Sequence, residues 1–163
     1  MDVTYRTATV DDAELMSRLG VRTFMETFGH LYLPDDLALF LENHRPEAWA
    51  KELADPAFEI RIAEMDGEPV GFIKLGPPHL PFEPRGEAAE LRQLYLVDKA
   101  QGTGIARELV DWLVGRARDL GADHLYLSVF TENARARRFY EKLGFEAEGT
   151  YACLLYTSPS PRD

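Results

Sequence analysis
Gln101-Gly102-Thr103-Gly104-Ile105-Ala106 decides the fold, because this stretch joins a strand directly to a long amphipathic helix. Downstream, Ala106, Val110, Leu113, Ala117 and Leu120 step by four and three, which is one face of a helix over residues 103–120. Gly121 ends that helix as a left-handed C-cap. Upstream, residues 90–97 read as a strand. The two glycines of the joint remove Cβ atoms where a ligand would have to touch backbone. The first helical turn presents unpaired N–H groups and the positive end of the dipole, so the joint suits an anion, most naturally a diphosphate. A Walker A loop is excluded, because no Lys-Ser/Thr pair follows the glycines. A dinucleotide fingerprint would need glycine where Arg107 stands, and it usually opens a domain. On its own the joint also fits a plain strand-to-helix turn.

Working outward, residues 3–8 form a short first strand, and Thr9 with Asp11 and Asp12 starts a helix running to about residue 28. That helix carries Leu15, Leu19 and Phe24 on one side. Pro34-Asp35-Asp36 opens a second, short helix with Leu37, Phe40 and Leu41, and residues 46–53 a third, stopped by Asp55-Pro56. The period then changes: Phe58, Ile60 and Ile62 alternate with charged residues, and Asp66-Gly67 turns residues 58–75 into a hairpin. Residues 76–86, with Pro77, Pro78, Pro81 and Pro84, are a loop. Beyond the long helix, Leu125, Leu127 and Val129 alternate in a strand. Asn133 caps a last helix with Ala136, Phe139, Tyr140 and Leu143 inward, and Gly144-Phe145 is a Schellman stop. The order β-α-α-α-β-β-β-α-β-α-β predicts one mixed α/β domain, α+β-like in character, without internal repeats.

The 163 residues are 45% hydrophobic and 28% charged, as a globular domain requires. The net charge of −10 argues against a nucleic-acid partner, which needs a basic footprint. No segment reaches the apolar length of a membrane span, and no secretory signal is visible at the start. Cys153 is the only cysteine, and His30, His44, His79 and His124 show no ligand spacing, so neither an intrachain disulfide nor a metal site is expected. These readings predict a cytoplasmic, metal-free domain. The charge is uneven: residues 1–90 carry 18 acidic and 8 basic side chains, residues 91–163 ten of each. A solvated acidic surface accounts for this, and so does a face that draws in cations.

Three stretches taken together resemble the GNAT N-acetyltransferase superfamily. Gln101, Gly104 and Ala106 match its Gln/Arg-x-x-Gly-x-Gly/Ala acetyl-CoA motif, and Glu90-Leu91-Arg92-Gln93-Leu94-Tyr95-Leu96 looks like its fourth strand. Asn133 followed by Arg138-Phe139-Tyr140-Glu141-Lys142-Leu143-Gly144-Phe145 looks like its final-helix signature. Thr23-Phe24-Met25-Glu26-Thr27-Phe28, the segment from Pro34 to Leu41, and Gly71-Phe72-Ile73-Lys74-Leu75 look most like the PaiA-type polyamine acetyltransferases within it. The resemblance implies a single twisted mixed sheet of about six strands, with helices on both faces, splayed at the fourth and fifth strands.

It also implies a site. Backbone N–H groups near Leu94 and Leu96 would hold the pantetheine and the acetyl oxygen, and Gly102, Thr103, Gly104, Ile105, Ala106 and Arg107 the diphosphate, with Gln101 a further cofactor-binding position of the motif. In other acyl-transfer enzymes such an oxyanion donor is worth roughly 3–4 kcal/mol. An amine must shed a proton before it attacks, and Glu90 stands where the family often has an acid acting through water. Glu90 also reads as a rim glutamate or a partner for Arg92. Tyr140 would serve as general acid toward the coenzyme thiolate; it also reads as an amphipathic core residue. Asn133 would contact coenzyme as well as cap its helix. Arg135, Arg137 and Arg138 could meet the coenzyme's ribose phosphate, or form a solvated basic face. The family transfers acetyl directly, so Cys153 reads as a buried strand residue rather than a nucleophile.

After Phe145 the family normally has two strands. Residues 146–156 allow one here, and residues 157–163, turn-rich with two prolines, read as a foreign-looking tail outside a domain of residues 1–156. The last strand is therefore expected to be missing, leaving an open edge or a place for a strand from a partner in a homodimer. The expected activity is acetyl transfer from acetyl-CoA to a small cationic, polyamine-like amine. An amino acid, antibiotic or protein N-terminus as acceptor, and a non-catalytic acyl-CoA-binding module, are the competing expectations.

Overall fold
The structure, a computed structural model, describes residues 2–28, 44–80, 83–84, 86–129, 133–150 and 154–157. The expected helix at residues 34–41, Cys153 and residues 158–163 lie outside these.

Strands β1 (Val3–Thr7), β2 (Glu59–Met65), β3 (Glu68–Gly76), β4 (Ala88–Leu96), β5 (His124–Val129), β6 (Glu146–Thr150) and β7 (Leu154–Thr157) hydrogen-bond in the order β1-β2-β3-β4-β5-β7-β6. The described helices are α1 (Ala13–Phe28), α2 (Pro46–Ala54), α3 (Ile105–Asp119) and α4 (Ala134–Lys142). The chain divides into two compact units, Met1–Lys74 with Gln93–Asp111, and Leu75–Arg92 with Trp112–Asp163.

In the first unit, Thr9 precedes a 3-10 turn (Val10–Asp12) that leads into α1. Asp12 fixes this start: its carboxylate accepts the Thr9 N–H at 2.8 Å and the Arg6 guanidinium at two points, each 2.9 Å. Such a bidentate pair holds the first strand to the helix it feeds. Met16, Leu19, Thr23 and Phe24 make the buried stripe of α1. Asp66 and Gly67 both take positive φ, 52° and 84°, as a type I′ hairpin turn requires. Gly71 permits close approach of β3 to β4, because a Cβ there would stand 3.0 Å from the Tyr95 carbonyl oxygen and 3.0 Å from Leu96 Cγ.

In the second unit, β4 pairs with β5 in parallel from Ala88↔His124 to Leu91↔Leu127. This register involves the first part of β4, which itself runs to Leu96. The Gly144 stop takes its expected form: Phe145 N–H donates to the Tyr140 carbonyl and Gly144 N–H to that of Glu141, each at 3.1 Å. The rings of Tyr140 and Phe145 meet at 5.8 Å, the apolar contact of this motif.

The C-terminal expectation needs correction. Two strands follow Phe145, not one: β6 and β7 pair antiparallel from Glu146↔Thr157 to Thr150↔Leu154, and β7 pairs antiparallel with β5 from Tyr126↔Thr157 to Val129↔Leu154. Among the described residues the sheet has seven strands, where about six are expected; the last strand is present, and Thr157 belongs to it. Among the described residues, no helix is long and apolar enough to cross a membrane.

Candidate active site
The anion cradle belongs to the first unit. A 3-10 turn (Asp98–Ala100) brings the chain from β4 to Gln101, whose side chain reaches back to the Leu96 carbonyl at 3.4 Å. Gly102 and Gly104 both have positive φ, 74° and 88°, and a Cβ built on either meets nothing within 4 Å. Glycine is required here by backbone conformation, and the space beside both residues is open. Thr103 Oγ1 donates to the Ala100 carbonyl and accepts the Ile105 N–H at 3.4 Å. The Gly104 carbonyl takes the first intrahelical bond, from Glu108 N–H at 3.2 Å, so Ile105, Ala106 and Arg107 form the first turn of α3. Open space beside Gly102 and Gly104 at the N-terminal end of α3 is an arrangement that could accept an anion.

The anchors of this loop come from distant parts of the chain. Glu26 on α1 accepts the Asp98 N–H at 2.7 Å and Arg22 Nε at 2.9 Å; Arg22 reaches Glu68 at 3.2 Å, and Lys99 binds the same Glu68. The contact between Glu26 and Asp98 spans 72 residues, so no local spacing could signal it.

Gly104→Ala separates a ligand cradle from a mere turn. Forcing a side chain into φ 88° costs roughly 1–2 kcal/mol and displaces the first turn of α3. We expect KM for acetyl-CoA to rise roughly tenfold, the equivalent of about 1.4 kcal/mol. An unchanged KM alongside a lowered Tm would reduce these glycines to turn formers.

The candidate acid–base groups belong to the second unit. Glu90 is not on a solvated rim: it is 7% exposed, within β4, and its Oε1 accepts the His79 N–H at 2.7 Å. Burial pushes its carboxyl above the ordinary glutamate value, against the pull of the His79 N–H bond and of the charges of Arg92 and His79. Arg92, two residues along the strand, donates from Nη1 to the Pro77 carbonyl at 3.0 Å. By strand alternation Glu90, Arg92, Leu94 and Leu96 project from one face of β4.

Tyr140 on α4 is buried, with its ring edge-on to Phe139 at 5.1 Å. Asn133 caps α4: its Oδ1 accepts the Ala136 N–H at 3.1 Å. Arg135 and Arg138 are exposed and Arg137 is half-buried. No group of three or more His, Cys, Asp or Glu that could hold a metal occurs among the described residues.

A sequence model of the acetyltransferase (GNAT) family matches residues 22–145. The chain is 34% identical over 140 residues to an uncharacterised N-acetyltransferase of Mycobacterium tuberculosis, covering 85% of this chain and 86% of that protein. It is 30% identical over 102 residues to the aminoalkylphosphonate N-acetyltransferase of Salmonella typhimurium, covering 61% and 64%. In fold it is similar to the crystal structure of PaiA N-acetyltransferase from Thermoplasma acidophilum in complex with coenzyme A, with TM-score 0.83 over 97% of this chain and 99% of that one, at 21% identity. With the glycine cradle at the start of α3 and these relatives across most of its length, the chain belongs to the GNAT family of acetyl-CoA-dependent N-acetyltransferases.

Proposed function
We propose that the protein acetylates small, cationic, polyamine-like amines by direct attack in a ternary complex, with Glu90 as proton acceptor and Tyr140 as proton donor. Acetyl-CoA supplies an acyl thioester. Residues 102–107 hold its diphosphate, the backbone N–H groups near Leu94 and Leu96 steady its pantetheine and acetyl oxygen, and Asn133 adds a coenzyme contact beside its cap.

The observation that carries this reading is the buried Glu90 carboxylate. A polyamine arrives as an ammonium ion and must lose a proton before its nitrogen can attack a carbonyl. A carboxylate whose proton affinity is raised by burial is a better base than one in water, and Glu90 is 7% exposed. Tyr140 returns a proton to the departing thiolate, which balances the exchange. The sign of the acceptor follows from the 18 acids against 8 bases in residues 1–90, an excess that favours a cation approaching that part of the chain.

The test is thiol release from acetyl-CoA over an amine panel at low and high salt. Spermidine and spermine are expected to react at least about tenfold faster than neutral amines at low salt, an advantage that shrinks as salt screens the charge. Equal rates across the panel would overturn the cationic acceptor. Coenzyme binding without turnover on any amine would overturn the catalytic roles.

A further inference from the structure
The loop that leaves β3 crosses one face of β4 and is fastened there at two points. The Pro77 carbonyl accepts Arg92 Nη1 at 3.0 Å, and two residues later the His79 N–H donates to Glu90 at 2.7 Å. Glu90 and Arg92 are themselves two residues apart on the strand, so both fastenings lie on the same face. Pro77 and Pro78 have restricted φ, so this strap loses little further freedom when pinned, and its donor arrives preorganised.

A carboxylate as buried as Glu90 is costly to ionise unless donors meet it. Several ionisable groups flank it. Arg92 lies on its own strand and His79 on the strap; Tyr126 is its register partner on β5, and His124, two residues earlier, stacks on Tyr126 at 6.2 Å. Leu75, at the end of β3, is apolar and buried. Only the strap brings a backbone N–H to the carboxylate at hydrogen-bonding distance in the described contacts.

We propose that this two-point strap keeps the Glu90 carboxylate ionised at depth, with the His79 backbone N–H as the working contact and Arg92 as the positioning residue that holds the strap down. The proposal rests on the reading of Glu90 as the base. It adds a device that sets the pH at which that base is ready. Losing Arg92 withdraws a positive charge and releases Pro77; losing the His79 N–H removes the donor itself.

The test is a titration of the Glu90 side-chain carboxyl by carbon NMR on the full chain, run beside the pH dependence of kcat/KM. Arg92→Gln and His79→Pro should each move the Glu90 midpoint to higher pH by roughly one unit, the size of one lost hydrogen bond to a charged group. His79→Ala, which keeps the N–H, should move it less than half as far. Circular dichroism identifies any variant that fails to fold, and the two main variants reach the same contact by different routes. A midpoint within about 0.2 unit of the wild type in both would overturn the strap. Movement in His79→Pro but not in Arg92→Gln would remove Arg92 from it. If the midpoint moves while the acid limb of kcat/KM stays in place, the strap stands and Glu90 is not the base.

Discussion

Glu90→Gln is expected to lower kcat/KM for amine acetylation by about 10²- to 10⁴-fold, the usual contribution of a positioned general base. The amide keeps the shape of the side chain and can still accept the His79 N–H, so the loss would report proton transfer and not collapse of the strap. The same substitution should stabilise the protein at alkaline pH. The folded-state carboxyl is raised above its ordinary value of 4.5, so the folded chain holds this proton more tightly than the unfolded chain. Its contribution to stability is therefore fully present below about 4.5 and is lost as pH rises through the raised value. Glutamine has no proton to lose. Tm of the variant should exceed that of the wild type at pH 8, and the two should converge as the buffer is taken down toward pH 4. A variant both slower and less stable at pH 8 would mark Glu90 as a structural acid whose charge the fold needs. Unchanged kinetics would remove it from the chemistry.

Much of this fold could be read from local chemistry. The hairpin turn needed two residues at positive φ, and Asp66-Gly67 supplies them. Both helix stops needed a left-handed residue followed by a return hydrogen bond, and Gly121 and Gly144 supply it: Ala122 N–H donates to the Ala117 carbonyl as Phe145 N–H does to that of Tyr140. The joint into α3 was legible for the same reason, since two glycines at positive φ and a helix start lie within a few residues of each other. What escaped were features with no local signal. Glu90 read equally well as a rim residue, because the strap that covers it comes from His79, eleven residues away in a proline-rich loop. The Glu26 contact to Asp98 likewise joins elements far apart in sequence.

The last strand escaped for a different reason. The sequence between β6 and β7 is Tyr151, Ala152 and Cys153, with no Gly, Pro, Asn or Asp to signal a turn, so residues 146–156 read as one continuous strand. The only glycine nearby, Gly149, lies inside β6, where the pairing with β7 shifts register. The prolines after Thr157 then suggested that nothing further could pair.

Truncation after Cys153 is expected to abolish cooperative folding. It removes β7, which pairs on one side with β5 at Tyr126, Leu127, Ser128 and Val129, and on the other with β6. Without it, four residues of β5 lose a ladder neighbour. Three of these, Tyr126, Leu127 and Val129, have side chains no more than 5% exposed. Backbone groups in such a setting must find water or another chain, and a bared interior strand is a template for aggregation. The truncated chain should therefore be recovered insoluble, or melt without a sharp transition. Leu155→Pro tests the same strand at full length: it deletes one N–H at the pair Ser128↔Leu155 and should cost about 1–3 kcal/mol, a Tm loss of roughly 2–12 °C. Far-ultraviolet circular dichroism melts of both variants check this. A truncated chain that melts cooperatively within a few degrees of the full chain would mean that β7 adds little to the sheet. Folding without β7 would also return the open edge to β5 and revive the homodimer in which a partner strand fills it.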